Sequence, residues 1–322
     1  MSDGRDQDRG LCGAADEAFG HFDKRRGDST AKDERLDSGI ASLPEEFPRE
    51  PSMPGEPSMP GEPSMPGEPS RSDSPSMSEA LRERGLDGDT ILHLAIIMKV
   101  PDAVPLALIQ LADDSSILNL QNDLLQTPLH LAVVTERPAV VQKLVESGSA
   151  PWIQDLRGNT PLHLACDLPT RACLHAIVHS VPPAALTAAL RVQNYPKGLT
   201  CLHVAIIKQD LGVVEDLLQL GVDIDAWEPC SGRAALHLAV EMSSTTMVDC
   251  LLSHGACVNS RMWDGCTPLH LAVGRGHAPL VKLLYKHGAD DSLENLEHEC
   301  PSDLPACGKK LKKILCLEDI SR

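Results

Sequence analysis

From residue 89 onward two apolar textures alternate along the chain. The first runs Thr, a small residue, Leu, His, an aliphatic, Ala. It occurs as Asp89-Thr-Ile-Leu-His93-Leu-Ala95, Gln126-Thr-Pro-Leu-His130-Leu-Ala132 and Asn159-Thr-Pro-Leu-His163-Leu-Ala165. It returns as Leu199-Thr-Cys-Leu-His203-Val-Ala205, Arg233-Ala-Ala-Leu-His237-Leu-Ala239 and Cys266-Thr-Pro-Leu-His270-Leu-Ala272. Its histidines lie 37, 33, 40, 34 and 33 residues apart. The second texture is two aliphatic groups and then glycine: Val140-Val141, Leu144-Val145 and Gly148, or Val213-Val214, Leu217-Leu218 and Gly221. Both place apolar residues at helical spacing. Thr caps free N–H groups at a helix start, and Pro after it fits the first turn without losing a needed donor. Ala permits close approach of a neighbouring helix, and the trailing glycine ends the second helix in the left-handed region. Polar runs such as Asp155-Leu-Arg-Gly158 and Met262-Trp-Asp-Gly265 read as short hairpins between units.

The pattern predicts an all-α repeat solenoid: short helix pairs, stacked, with short β-hairpin loops. A period near 33 residues with T-P-L-H-x-A resembles the ankyrin repeat. Six repeats are expected, at about 87–120, 124–153, 157–194, 197–226, 231–260 and 264–293, within a repeat domain over 87–295. The two long spacings put extra residues around 112–116 and 182–190, where they should lengthen loops. Residues 296–322 read as a C-terminal cap or tail. Leu311, Ile314 and Leu315 form a stripe among Lys309, Lys310, Lys312 and Lys313, which suits a capping helix; a weak import signal is the rival reading.

The first 86 residues have another texture. A six-residue unit, Glu-Pro-Ser-Met-Pro-Gly, starts at Glu50, Glu56 and Glu62, with a partial copy at Glu68. Proline at every third position forbids helix and interrupts strand ladders. A disordered regulatory tail with a semi-extended linker is expected over 1–86. The first residues are polar and show no secretory signal, and no apolar run reaches 18 residues.

Composition narrows the function. The net charge of the 322 residues is −17, which disfavours direct binding to nucleic acid or anionic membrane and suits a partner with a basic surface. Three Phe, three Trp and two Tyr leave the core to aliphatics. Eleven Cys without a CxxC pair point to reduced thiols rather than a disulfide or zinc framework. The six histidines belong to the repeat motif, and His175 with His179, four apart, lacks a third ligand in the sequence. Nucleophile elbows and phosphate loops are missing. No enzyme, no cofactor and no metal is expected.

A solenoid of this kind grips another protein with its concave face and loop tips. Trp152, Tyr195, Trp227 and Trp263 are expected exposed at hairpin tips, as interface anchors or as packing within the loops. In the tail, Asp37-Ser38-Gly39-Ile40-Ala41-Ser42 sets two serines four apart around a glycine. Doubly phosphorylated, it offers compact negative charge to an Arg/Lys-lined pocket. Lys24 and Lys32 lie upstream as ubiquitin acceptors.

Repeats and hexapeptide together resemble the IκB inhibitors of NF-κB. The likeness is carried by Asp87-Gly-Asp-Thr-Ile-Leu-His-Leu-Ala95, Leu125-Gln-Thr-Pro-Leu-His-Leu-Ala-Val133, Gly158-Asn-Thr-Pro-Leu-His-Leu-Ala-Cys166 and Glu228-Pro-Cys-Ser-Gly-Arg233. Asp37-Ser-Gly-Ile40 and residues 261–276 look most like the epsilon type, with the alpha type next. The resemblance implies binding of NF-κB/Rel dimers and their retention in the cytoplasm, with nuclear shuttling as a variant. Asp87, Asp89, Asp113 and Asp114 would face a basic Rel segment, and the later hairpins its dimerisation domains. It also implies that IκB kinase phosphorylates Ser38 and Ser42. A WD-repeat receptor of a cullin-RING ubiquitin ligase would then read Asp37, Ser38, Gly39, Ile40 and Ser42. The leucine-rich export segment of the alpha type is replaced here by the proline-rich units. An acidic C-terminal tract is missing. A nuclear IκB-like coregulator and a generic ankyrin adaptor remain as alternatives.

Overall fold

The computed structural model describes residues 77–304. Six short inner helices follow the six motifs: α2 (Ile91–Ile97), α5 (Pro128–Val134), α7 (Pro161–Asp167), α10 (Cys201–Ile207), α12 (Ala235–Glu241) and α14 (Pro268–Gly274). Each is paired with an outer helix: α3 (Ala103–Gln110), α6 (Pro138–Glu146), α8 (Ala172–Ser180), α11 (Leu211–Gln219), α13 (Thr245–Ser253) and α15 (Ala278–Lys286). Inner packs on inner and outer on outer, so the core runs as one continuous cluster from Leu92 to Ala289. Leu129, Leu144, Leu162, Leu174, Ile206 and Leu217 are sealed within it. Each such side chain contributes about 1.5–3 kcal/mol by leaving water. The motif alanines, Ala132, Ala165, Ala205, Ala239 and Ala272, are fully buried, where a larger side chain would force the helices apart. Gly148, Gly221, Gly255 and Gly288 follow the outer helices with φ of 98°, 74°, 90° and 86°, the left-handed stop that the sequence led us to expect.

Among the described residues, three helices lie outside the regular pairs. α1 (Met77–Arg82) docks on the four-residue α4 (Ser115–Leu118), burying Leu81, with Arg82 bonded to Asp114 and Ser116. The folded body therefore begins before the expected boundary at 87. The extra residues of repeats one and three are helical rather than longer loops: α4 forms at the first, and α9 (Pro183–Leu190) at the second. Pro182 and Pro183 lock the backbone for a fresh helix start, and the alanine-rich run after them favours helix. Among the described residues the hairpins carry no strand ladder, only one isolated antiparallel bridge between Trp227 and Ala234. The expected cap over 309–315 lies outside the described residues.

The repeated histidine ties each unit to the next. Its Nδ1 accepts the backbone N–H of the capping residue: Thr90, Thr127, Thr160, Thr200, Ala234 or Thr267, at 3.1–3.3 Å. A backbone N–H can only donate, so the proton of each neutral ring sits on Nε2. In five repeats Nε2 donates to a carbonyl one unit on: Gln126, Asn159, Leu199, Arg233 and Glu299. In the fifth repeat Nε2 of His237 is buried without a partner, and Ala234 stands where threonine would cap.

Candidate protein-binding surface

The loops between units project as a row of fingers, each held by a side chain folded into its own turn. Asn122 Oδ1 accepts the N–H groups of Leu124 and Gln126, and Asp155 Oδ1 those of Arg157 and Asn159. Asn194 does the same for Leu199. In the next finger Glu228 takes this place, nearly sealed from water. Its carboxylate accepts the N–H groups of Cys230 and Ser231, the Ser231 hydroxyl and the Arg233 guanidinium. Burial alone would push that carboxyl up, but these donors outweigh it and hold it below the ordinary value. The finger at 262–266 has Met262 at the anchoring position, and Asp264 accepts the Cys266 N–H within the turn instead.

Neighbouring fingers are locked in register. Gln121 Nε2 donates to its own finger and to the Gln154 carbonyl, Gln154 to the Gln193 carbonyl, and Gln193 to the Trp227 carbonyl. The residue after the anchor bonds back one finger: Leu156 to Leu124, Tyr195 to Arg157, Trp263 to Ser231. Close contact there requires glycine. At Gly232, with φ of 75°, a Cβ would lie 2.9 Å from the Trp263 ring. This construction holds a row of exposed apolar tips: Leu86, Leu156, Tyr195, Pro229, Trp263 and Leu296.

Of the four aromatics expected at tips, two are there. Tyr195 and Trp263 crown their fingers. Trp227 stands at the stem of its finger, paired with Ala234, and Trp152 sits in the turn after α6. Trp227 and Trp263 meet edge to face, centroids 4.9 Å apart, with Trp263 Nε1 donating to the Pro229 carbonyl at 3.1 Å. Each remains about half exposed, at 51% and 53%, so their mutual contact leaves large rigid faces open to a partner. Trp152 is not part of this pair. Leu86, Leu156 and Leu296 escaped the sequence reading. Their signal was position, one residue after the finger's anchor, rather than residue type.

The four acidic candidates divide. Asp87 and Asp113 are exposed. Asp89 is engaged with Asn122 Nδ2 at 2.9 Å. Asp114 caps α4: hydrogen bonds from the Ser116 hydroxyl and N–H hold its carboxyl below the usual range, and Arg82 lies 3.2 Å away. Asp114 is exposed as well, but its charge is partly engaged in capping α4 and in the pair with Arg82. Between the outer helices α8 and α11, His175 Nε2 bonds Asp216 at 2.9 Å beside Arg171. Among the described residues no group of three or more His, Cys, Asp or Glu could hold a metal ion, and no helix is long and apolar enough to cross a membrane. Asp37, Ser38, Gly39, Ile40, Ser42, Lys24 and Lys32 lie outside the described residues.

Comparison with known proteins bears on what this row grips. Residues 138–227 and 202–295 match the family described as Ankyrin repeats (3 copies). The NF-kappa-B inhibitor alpha of Gallus gallus is 41% identical over 246 residues, covering 76% of this chain and 74% of that protein. The chain belongs to the IκB family. The NF-kappa-B inhibitor epsilon of Homo sapiens is 36% identical over 230 residues, 70% of this chain and 45% of that protein, so the epsilon type is among the relatives of this IκB chain. The ankyrin repeat domain of Bcl-3, described as a unique member of the IkappaB protein family, superposes with a TM-score of 0.67 at 42% identity. It covers 71% of this IκB chain and 99% of that structure. The IκB chain spans about half the length of several curated relatives that it matches.

Proposed function

We propose that this chain inhibits NF-κB/Rel transcription factors: it binds Rel dimers through its finger row, keeps them in the cytoplasm and off DNA, and is destroyed on signal. The observation that carries the binding step is the Trp227–Trp263 pair, half-exposed and packed edge to face in an IκB-family fold. Aromatic anchors surrounded by charge favour a partner that is apolar at the centre and basic at the rim. Asp87 and Asp113 supply the acidic end of the row toward a basic Rel segment. Phosphorylation of Ser38 and Ser42 by IκB kinase would create the doubly charged turn read by a WD-repeat ubiquitin-ligase receptor, with Lys24 or Lys32 accepting ubiquitin.

Calorimetric titration of the chain into a Rel dimer tests the binding step, and absence of heat at micromolar concentration would remove it. Asp87→Lys with Asp113→Lys should weaken that binding about tenfold at 150 mM salt and reduce its salt dependence. An affinity indifferent to the reversal would displace the basic segment from this end. For the destruction step, Ser38→Ala with Ser42→Ala should abolish stimulus-induced loss of the chain in cells; decay at the unmodified rate would remove the degron. The second reading, a nuclear coregulator that stays on DNA-bound Rel dimers, is favoured by the close match to the Bcl-3 repeat domain over 99% of its length.

A further inference from the structure

A side-chain fastening recurs between neighbouring repeats, and one junction lacks it. Three residues before a finger's anchor, a carboxamide or carboxylate reaches the next repeat. Asn119 Oδ1 accepts the Ala150 N–H at 2.8 Å, Asp225 Oδ1 the Cys257 N–H at 2.9 Å, and Asn259 Oδ1 the Asp290 N–H at 2.9 Å. The two asparagines also donate to the Gly148 and Gly288 carbonyls. Between repeats three and four the same position is Arg191, and the amide opposite it is that of Asp223. A guanidinium carries donors only, so it cannot accept that N–H. Among the described residues the Asp223 N–H finds no other acceptor, and the Arg191 guanidinium has no partner. Between repeats two and three Trp152 holds the position, but there the next amide lies inside α9.

The junction without its fastening is open. A cavity of about 340 Å³ lies there, over an apolar floor of Leu190, Leu202 and Val222, with Trp227 also in its lining. It continues into a second of about 230 Å³ toward Gly221. Arg191 and Asp223 line both and are exposed. The Asp223 carboxylate accepts the N–H of Asp225 in its own turn at 3.2 Å. The site thus offers a backbone N–H and a guanidinium beside apolar surface. What it lacks is an acceptor, the group that Asn119, Asp225 and Asn259 supply elsewhere.

We propose that this cavity captures the C-terminal residue of a partner chain that ends in an aliphatic side chain. The terminal carboxylate stands in for the absent Asn or Asp: one oxygen accepts the Asp223 N–H, the other the Arg191 guanidinium. The aliphatic side chain lies on Leu190, Leu202 and Val222, beside the Trp227 ring. The volume is at the small end for a ligand pocket, which suits a chain end. An internal acidic residue would bring backbone on both sides. Covering Trp227 would set such a ligand in competition with a Rel dimer. That consequence rests on the Rel-binding reading, whereas the site itself does not.

An NMR titration of the full chain with the N-acetylated peptide Ala-Ala-Ala-Leu, its C-terminus free, decides it. Saturable binding is expected, with the Asp223 amide among the shifted resonances. Amidating the peptide should weaken binding at least about tenfold, and an amidated peptide with an internal aspartate should be equally poor. Arg191→Asn installs the fastening of Asn119 and Asn259. It should weaken binding of the free acid about tenfold or more without lowering the thermal midpoint. Arg191→Lys keeps the charge but not the planar fork and should lose less. No binding of the free acid at millimolar concentration would overturn the proposal, as would equal binding of acid and amide. So would an affinity untouched by Arg191→Asn, or an internal aspartate that binds as well as the chain end. No Rel dimer is present, so failure here leaves the Rel-binding reading standing.

Discussion

Between pH 6.5 and pH 4 the repeat stack is expected to lose on the order of 3 kcal/mol for each of His203 and His237, and to unfold. Burial pushes both imidazoles down from 6.5 to about 4. A charged ring would also carry a proton on Nδ1, facing the N–H of Thr200 or Ala234 that now donates to it. The unfolded chain takes up its protons near pH 6.5, whereas the folded one resists until about pH 4. The unfolded state thus binds more protons in this window, so stability is full above it and lost on descending through it. His93, His130 and His270 are lowered by burial as well and act in the same direction; His163, raised by Cys201 against its burial, acts in the opposite one. Urea denaturation at pH 7.5 and pH 5 measures the slope. His203→Gln should lower stability at pH 7.5 and flatten the pH dependence. A stability independent of pH between 7.5 and 5 would contradict the assignment of neutral, Nε2-protonated histidines.

Removing both indoles, Trp227→Ala with Trp263→Ala, should cost about 100-fold or more in affinity for a Rel dimer. The two rings support each other edge to face, and each exposes half of its surface, so truncation removes the largest rigid apolar area of the row. The loss in fold stability should be small by comparison, because neither ring belongs to the continuous core. Trp152→Ala, away from the pair, should weaken binding far less. Calorimetry with matched thermal melts separates the two effects. Unchanged affinity in the double variant would show that the tips are not the interface.

Much of this was legible in the chain itself. The inner helices announce themselves through Thr-Pro-Leu-His-Leu-Ala because each position has one local job: cap, first turn, core, inter-repeat bond, close contact. The outer helices follow from aliphatic pairs and a terminal glycine. The inserted residues at 182–190 were harder to read. Two prolines suggest a loop, yet Pro183 opens a helix whose alanines then favour it. Acidic residues also mislead in isolation. Asp87 and Asp114 have the same side chain and both are exposed, but only the fold reveals that Asp114 caps α4 through Ser116 and pairs with Arg82. The tip row was half visible. Aromatic residues attract notice in a sequence, whereas Leu86, Leu156 and Leu296 gain meaning only when the fingers align in space.

The finger row is expected to take Rel dimers away from DNA, and a gel-shift titration tests this. The chain is added to a Rel dimer already bound to its DNA site, at near-physiological salt. Loss of the shifted band is expected, with free DNA and a protein–protein complex in its place. A supershifted band containing DNA, Rel dimer and this chain together would contradict inhibition and identify a coregulator. An unchanged band, with no binding to the free dimer, would contradict Rel recognition altogether.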